Sequence, residues 1–132
     1  KMIELSDGFQ SAIHIYGPCY DEDEIGLLLA NASLCVSPGN VGLTAIHALS
    51  FGTPVIIHNN LSNQGPEFEA IEAGKSGAFF EENNIDSLID VINAWMNKKS
   101  SDREEVMHAC YQKIDKLYNP YNQLSVFKSN LL

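Results

Sequence analysis

The sequence predicts an α/β fold: a Rossmann-like parallel sheet covered by helices on both faces, with extra helices at the C-terminal end. Short apolar or β-branched runs alternate with amphipathic runs in the first half of the chain, joined by short connections rich in glycine and proline. The run Val55-Ile56-Ile57 is continuously apolar, which is typical of a strand buried on both faces. Three successive helical patterns after residue 84 predict the C-terminal helices.

The composition predicts one globular domain over residues 1–132, with 45% hydrophobic and 19% charged residues. The net charge of -9 opposes binding to nucleic acid or to an anionic membrane. No apolar run is long enough to insert into a membrane. Three widely spaced cysteines suggest reduced thiols and a cytoplasmic location, and no spacing of histidine and cysteine indicates a metal site.

The first elements are a strand and a helix. Residues 12–16 are rich in β-branched side chains and end at a Gly-Pro turn, so they predict a strand. Asp21 is the predicted N-cap of the following helix, with Glu24 as its capping-box partner. The acidic run of residues 21–24 also permits a paired-carboxylate site, but a helix start explains it more simply.

A strand, a glycine loop and a helix follow. We expect a strand at residues 33–37, a loop at 38–42 and a helix at 43–51 that ends at Gly52. Residues 55–57 are the next strand.

The remaining elements follow a polar loop at residues 59–66 that is longer than a plain connection requires. They are a short helix at 66–71, a turn at 74–77, a strand at 77–80, and helices at 85–97, 102–117 and 121–131.

The glycine loop carries the clearest functional signal. The strand before it delivers the loop to the carboxyl edge of the sheet, where open α/β folds bind ligands. There the helix start presents the unpaired N–H groups of Gly42, Leu43 and Thr44, which predict an anion site. The alternative is that the glycines only make a tight turn.

Several segments together resemble the donor-binding half of retaining GT-B glycosyltransferases of family 4. The resemblance covers about residues 13–95 and rests on the order of its segments, which are SPGNVGL at 37–43, ALSFGTPVI at 48–56, Glu69, and GKSGAFF at 74–80. It implies that the chain is the C-terminal half of a GT-B fold and that Gly42, Leu43 and Thr44 hold the donor diphosphate.

The resemblance also implies contacts with the ribose, sugar or base of the donor. The positions concerned are Gly39, Asn40, His47, His58 and Glu69. The family has glutamates where this chain has Gly39 and His47, so no residue is assigned a catalytic role. A neutral imidazole at His47 would accept a hydrogen bond from a ribose hydroxyl. The alternative is that His47 only packs on the helix flank. His58 contacts the donor, or it caps backbone groups of the polar loop.

The implied function is hexosyl transfer from a nucleotide sugar, without a cofactor, in bacterial surface polysaccharide biosynthesis. The chain begins at Lys1 and lacks the basic pair that the family places early in this domain. We therefore expect an inactive fragment of a cytoplasmic enzyme that works at the inner face of the membrane.

The implied partner is the missing N-terminal domain. The aromatic side chains of Tyr118, Tyr121 and Phe127 would suit docking to that domain, and without it they favour self-association. Two alternatives stay open: a sugar-nucleotide epimerase half-domain, and a catalytically silent GT-B-like binding domain.

Overall fold

The computed structural model describes residues 13–98 and 100–131, with the side chains of all of these except Ser100 and Ser101. In chain order the helices and strands are α1 (Glu22–Asn31), β1 (Cys35–Ser37), α2 (Leu43–Ser50), β2 (Val55–His58), β3 (Gly77–Phe80), α3 (Ile85–Met96), α4 (Ser100–Leu117) and α5 (Pro120–Leu131). Two 3₁₀ helices, Leu61–Asn63 and Pro66–Ala70, lie between β2 and β3. The predicted α/β class is confirmed.

The sheet has three parallel strands in the order β1-β2-β3. Central strand β2 pairs Ile56 with Val36 on one side and with Ala78 on the other. All four residues of β2 are buried, as its continuous apolar run predicts for a strand covered on both faces. The prediction of a parallel sheet flanked by helices is therefore confirmed.

The predicted strand at residues 12–16 is wrong for the four residues that the structure describes. Residues 13–16 have no regular secondary structure, and the side chains of Ile13 and Ile15 are about half exposed. A strand needs a neighbour for its backbone groups, and no described strand pairs with this segment. Ala12 lies outside the described residues. Gly17, after this segment, has a φ of 76°, but the predicted turn is not formed as a regular turn.

Helix α1 begins at the predicted cap. The Asp21 carboxylate accepts a hydrogen bond of 3.0 Å from the N–H of Glu24. The reciprocal half of the predicted capping box does not form, because the Glu24 carboxylate accepts from the Tyr16 hydroxyl and the Cys19 thiol instead. These two hydrogen bonds hold the pKa of Glu24 below its ordinary value.

The core lies where α2 packs between the sheet and α4. Ala45, Ala48 and Leu49 of α2 are fully buried, and Cys110 of α4 is buried with them. Helix α2 ends as predicted before Gly52, whose φ of 76° is the left-handed conformation that glycine adopts at low cost. The core thus fixes α2 firmly against the sheet.

The three C-terminal helices form as predicted, with bounds that differ by one or two residues. Helix α3 packs on β3 and α4 packs on α2. Helix α5 buries none of its described residues.

Candidate functional site

The three strands end together at one edge of the sheet. Their last residues are Ser37, His58 and Phe80, and the loops that follow are residues 38–42, 59–65 and 81–84. Because all three strands are parallel, these loops meet at the carboxyl edge, which is the ligand-binding edge of open α/β sheets.

The start of α2 is exposed at this edge. Leu43 is 74% exposed, and Thr44 is also exposed. Among the described residues, none accepts a hydrogen bond from the N–H groups of Gly42, Leu43 or Thr44. These three consecutive donors, at the positive end of the helix dipole, can bind an anion.

Gly42 has a conformation that favours glycine. Its φ of 50° and ψ of -146° lie in a region that side chains with a Cβ rarely adopt. It is the N-cap of α2 and supplies no side chain to the helix start. By contrast, Asp21 caps α1 and Asn84 caps α3, each through a hydrogen bond to a backbone N–H. The start of α2 therefore keeps its donors for another partner.

Gln64 ties the polar loop to the glycine loop. Its Nε2 donates to the carbonyl of Gly39 at 3.3 Å, and its Oε1 accepts from the N–H of Val41 at 3.0 Å. Between these two points, Asn40 Nδ2 donates to the carbonyl of Asn63 at 3.2 Å. Three hydrogen bonds therefore hold the loop immediately before Gly42.

Glu82 ties the polar loop to the segment after β3. Its carboxylate accepts from Asn60 Nδ2 at 2.7 Å and from Asn63 Nδ2 at 3.2 Å. These hydrogen bonds hold the pKa of Glu82 below its ordinary value, and the one from Asn60 has the larger effect. The backbone N–H of Glu82 also donates to Asn59 Oδ1 at 3.3 Å. The polar loop is thus anchored on both sides.

His58 lies buried beneath the polar loop, at 3% exposure. Its Nε2 is 2.9 Å from Gln64 Nε2, and its ring packs edge-on against Phe80. Its Nδ1 has no hydrogen-bond partner and lies 3.9 Å from Glu82 Oε1. The described contacts of His58 are with side chains around the loop, and its ring caps no backbone group.

His47 lies one turn along α2 from Leu43 and is partly exposed. Its Nε2 is 3.2 Å from the Glu22 carboxylate, and its ring packs against Phe51. A carboxylate only accepts, so Nε2 carries the proton in the neutral ring and Nδ1 is the acceptor nitrogen. The imidazole thus packs on the helix flank and still offers a hydrogen-bond acceptor.

Glu69 is exposed on the second 3₁₀ helix. No hydrogen bond or ion pair joins its carboxylate to another described residue. Its charge contributes to raising the pKa of Tyr118, of which partial burial is the larger cause. Glu69 therefore lies near Tyr118, which follows the last residue of α4.

Gln64 and Glu82 are two residues at this edge that the sequence alone does not assign to the site. Gln64 stands in the polar loop that the sequence marked as unusually long, and Glu82 follows a strand at the ligand edge. Their hydrogen bonds join residues more than twenty positions apart, which no local pattern indicates.

A cavity of about 250 Å³ lies at the opposite, amino edge of the sheet. Ser33 and Pro54, which precede β1 and β2, line it together with Trp95. Parallel sheets bind ligands at the other edge, so this cavity is separate from the candidate site.

The described residues include no group of three side chains able to hold a metal ion. Within the same part of the chain, every helix is too short or too polar to cross a membrane.

Comparison with known proteins gives one family. Residues 5–115 match the family model described as "Glycosyl transferases group 1", which covers more than half of the chain and the whole carboxyl edge. No curated protein matches the chain.

Proposed function

The chain belongs to the group 1 glycosyltransferases, and from this premise we propose that it is the nucleotide-sugar-binding domain of a retaining, family 4-like GT-B enzyme. In this proposal the start of α2 holds the donor diphosphate. The single observation that carries it is the exposed row of unpaired N–H groups at Gly42, Leu43 and Thr44.

The distribution of charge supports this role for the backbone. Lys75 is the one basic residue between Lys1 and Lys98, and its ammonium is bonded to Glu72 at 2.6 Å. A diphosphate at the carboxyl edge therefore depends mainly on N–H groups and the helix dipole.

The geometry of His47 supports a contact with the donor ribose. The Glu22 carboxylate occupies the Nε2 side of the ring, so Nδ1 is left to accept from a hydroxyl. Gly39 and Asn40 border the helix start and are proposed to lie against the donor sugar. Glu69 is a proposed donor contact on the family resemblance alone, whereas His58 is buried and is proposed to act on the donor only through its neighbours.

The wider setting is also proposed from the resemblance. The parent enzyme transfers a hexose in bacterial surface polysaccharide biosynthesis, acts in the cytoplasm at the inner face of the membrane, and needs no cofactor. A separate N-terminal domain supplies acceptor binding. The 132-residue chain alone then transfers no sugar, and detectable transfer by the purified chain would contradict this point.

The diphosphate site is tested by Leu43→Pro. Proline removes one N–H donor but suits the first position of a helix, and Leu43 is largely exposed, so α2 should persist. Calorimetric titration of the full-length protein with UDP- and GDP-sugars should show affinity reduced about tenfold to a hundredfold, the loss expected for a hydrogen bond to a charged group.

The matched control is Ile85→Pro. Ile85 is the first residue of α3 and is 73% exposed, compared with 74% for Leu43. It should leave donor affinity unchanged. If Leu43→Pro and the unsubstituted protein bind the donor with equal affinity, the start of α2 does not bind the diphosphate.

A catalytically silent binding or assembly domain is the second candidate, favoured by Gly39 and His47 standing where the family has glutamates. No binding of any nucleotide sugar by the full-length protein would favour this candidate over the transferase.

A further inference from the structure

The buried His58 and the half-buried Gln64 form a pair directly behind the glycine loop. The two side chains meet through their Nε2 atoms at 2.9 Å, and His58 is 3% exposed. Neither side chain reaches the exposed start of α2, yet Gln64 holds the residues on both sides of Asn40.

The backbone partners of Gln64 set the orientation of its amide. The carbonyl of Gly39 only accepts, so the NH₂ group must face it. The N–H of Val41 only donates, so the amide oxygen must face that side. The remaining amide hydrogen then points at His58, whose Nε2 must accept and so carries no proton. In the neutral ring the proton is on Nδ1, on the side of Glu82.

This arrangement destabilises the fold relative to an apolar residue at position 58. The end of β2 is buried, and His58 Nδ1 has no hydrogen-bond partner there. An unpaired buried polar atom destabilises a fold, whereas an apolar residue after Val55-Ile56-Ile57 would not. The polar pair therefore indicates a task beyond packing.

We propose that His58 and Gln64 are positioning residues that hold residues 39–41 so that the N–H groups of Gly42, Leu43 and Thr44 point together at the donor diphosphate. This inference rests on the proposed function. The chain of contacts runs from the His58 ring to the Gln64 amide, from the amide to Gly39 and Val41, and from Val41 to the first donor at Gly42.

The test is Gln64→Met in the full-length protein, titrated with UDP and GDP and with the corresponding nucleosides. Methionine keeps the length of the side chain and removes all three hydrogen bonds. The nucleoside diphosphate should bind about tenfold more weakly, as expected when N–H donors lose their alignment, while nucleoside affinity is unchanged. A purely structural role would lower both affinities together.

The matched control is Gln112→Met. Gln112 makes the same kind of contact, Nε2 to His108 Nε2 at 2.8 Å, on the exposed face of α4. It should change neither affinity.

Substitutions at His58 give an independent readout. In His58→Gln the amide oxygen reaches about as far as Nε2 and should retain diphosphate binding, whereas the shorter His58→Asn should lose it. The double variant His58→Asn/Gln64→Met should bind the nucleoside diphosphate no more weakly than Gln64→Met alone. Both substitutions break the same contact, between His58 and Gln64. Nitrogen NMR of the unsubstituted protein should show His58 Nε2 unprotonated and Nδ1 protonated.

The outcomes separate the two claims. If the unsubstituted protein binds neither UDP nor GDP, the proposed function fails and the inference fails with it. If it binds and Gln64→Met binds equally well, or loses nucleoside affinity in parallel, the inference alone is overturned. If Gln64→Met does not fold, the comparison of His58→Gln with His58→Asn decides, and equal affinities in these two would overturn it.

Discussion

Gly77 shows how closely single residues are packed in this sheet. It pairs with Val55 at the start of β3, and a Cβ added to it would lie 2.1 Å from the Val55 carbonyl oxygen and 2.6 Å from Ile71 Cγ2. A backbone oxygen between paired strands cannot move aside without breaking the ladder. Glycine is therefore required here for close approach, and not for a turn.

We expect Gly77→Ala to lower the free energy of unfolding by roughly 3 kcal/mol, the upper part of the range for overpacking a core. Urea denaturation followed by circular dichroism measures it. The matched control is Gly39→Ala, because a Cβ at Gly39 meets nothing within 4 Å and the stability should hardly change. Similar stabilities for the two variants would contradict the close approach of β2 to β3.

Cys110 makes stability depend on alkaline pH. Burial raises the pKa of its thiol from 9.0 to about 12. Above pH 9 the unfolded chain releases this proton while the folded chain keeps it, so this contribution to stability falls as pH rises and is lost by about pH 12.

The expected result is a steeper loss of stability between pH 9 and 12 in the unsubstituted chain than in Cys110→Ala. Denaturant titrations of both chains at several pH values measure the free energy of unfolding. Taking the difference between the chains removes the contribution of other groups that titrate in this range, because both chains contain them. Parallel pH profiles would show that the thiol ionises as easily in the folded chain as in the unfolded one.

Among the elements, α3 shows what a side-chain cap contributes. Asn84 Oδ1 accepts from the N–H of Ser87 at 3.0 Å, and Asn84 Nδ2 donates to Glu81. Helix α3 packs on β3, so its start is placed next to the segment that carries Glu82. The cap therefore supports both the helix and the loop beside the candidate site.

Asn84→Ala should lower the free energy of unfolding by about 1 kcal/mol, the usual effect of losing an N-cap. Thermal and urea unfolding measure it. Asn93→Ala is the control: Asn93 is exposed within the same helix, where alanine is the better helix former, so stability should hold or rise slightly. If Asn84→Ala and Asn93→Ala change the free energy of unfolding equally, the Asn84 side chain does not stabilise the start of α3.

Helix α2 shows the opposite arrangement. Its N-cap is glycine, its first N–H groups are unpaired, and its buried face carries the core residues Ala45, Ala48 and Leu49. Tight packing along one face gives the helix its stability without a cap. The exposed end is thereby kept open for a ligand.

At the scale of the whole molecule, the last helix carries an apolar surface that the described residues leave uncovered. It lies on α5 and consists of Tyr121, Leu124, Phe127 and Leu131. Tyr121 is 86% exposed and Phe127 is 62% exposed, and their spacing places all four on one side of the helix. An apolar stripe of this kind favours association with another protein surface.

We expect the isolated chain to self-associate as its concentration rises, and the double variant Tyr121→Ser/Phe127→Ser to stay monomeric. Light scattering over a concentration series measures both. The two side chains are exposed, so the melting temperature should be nearly unchanged. A chain that is monomeric throughout the series would exclude α5 as a self-association surface.

The pattern of the sequence was enough to predict most of the elements. The continuous apolar run at Val55 predicted a buried strand, and the cap at Asp21 and the glycine at Gly52 marked helix ends where the structure has them. These signals are local, because capping, turn formation and helical periodicity each involve residues a few positions apart. The exposed glycine loop before α2 was predicted on the same grounds.

The tertiary structure decided the rest. It left residues 13–16 outside the sheet, since a strand forms only where a neighbour pairs with it. It buried His58 against Gln64 and joined Glu82 to the polar loop, through contacts whose partners include residues more than twenty positions apart. The sequence by itself determined the positions of most helices and strands to within one or two residues. Which polar side chains meet at the carboxyl edge depended on folding, because that edge is assembled from three separate loops.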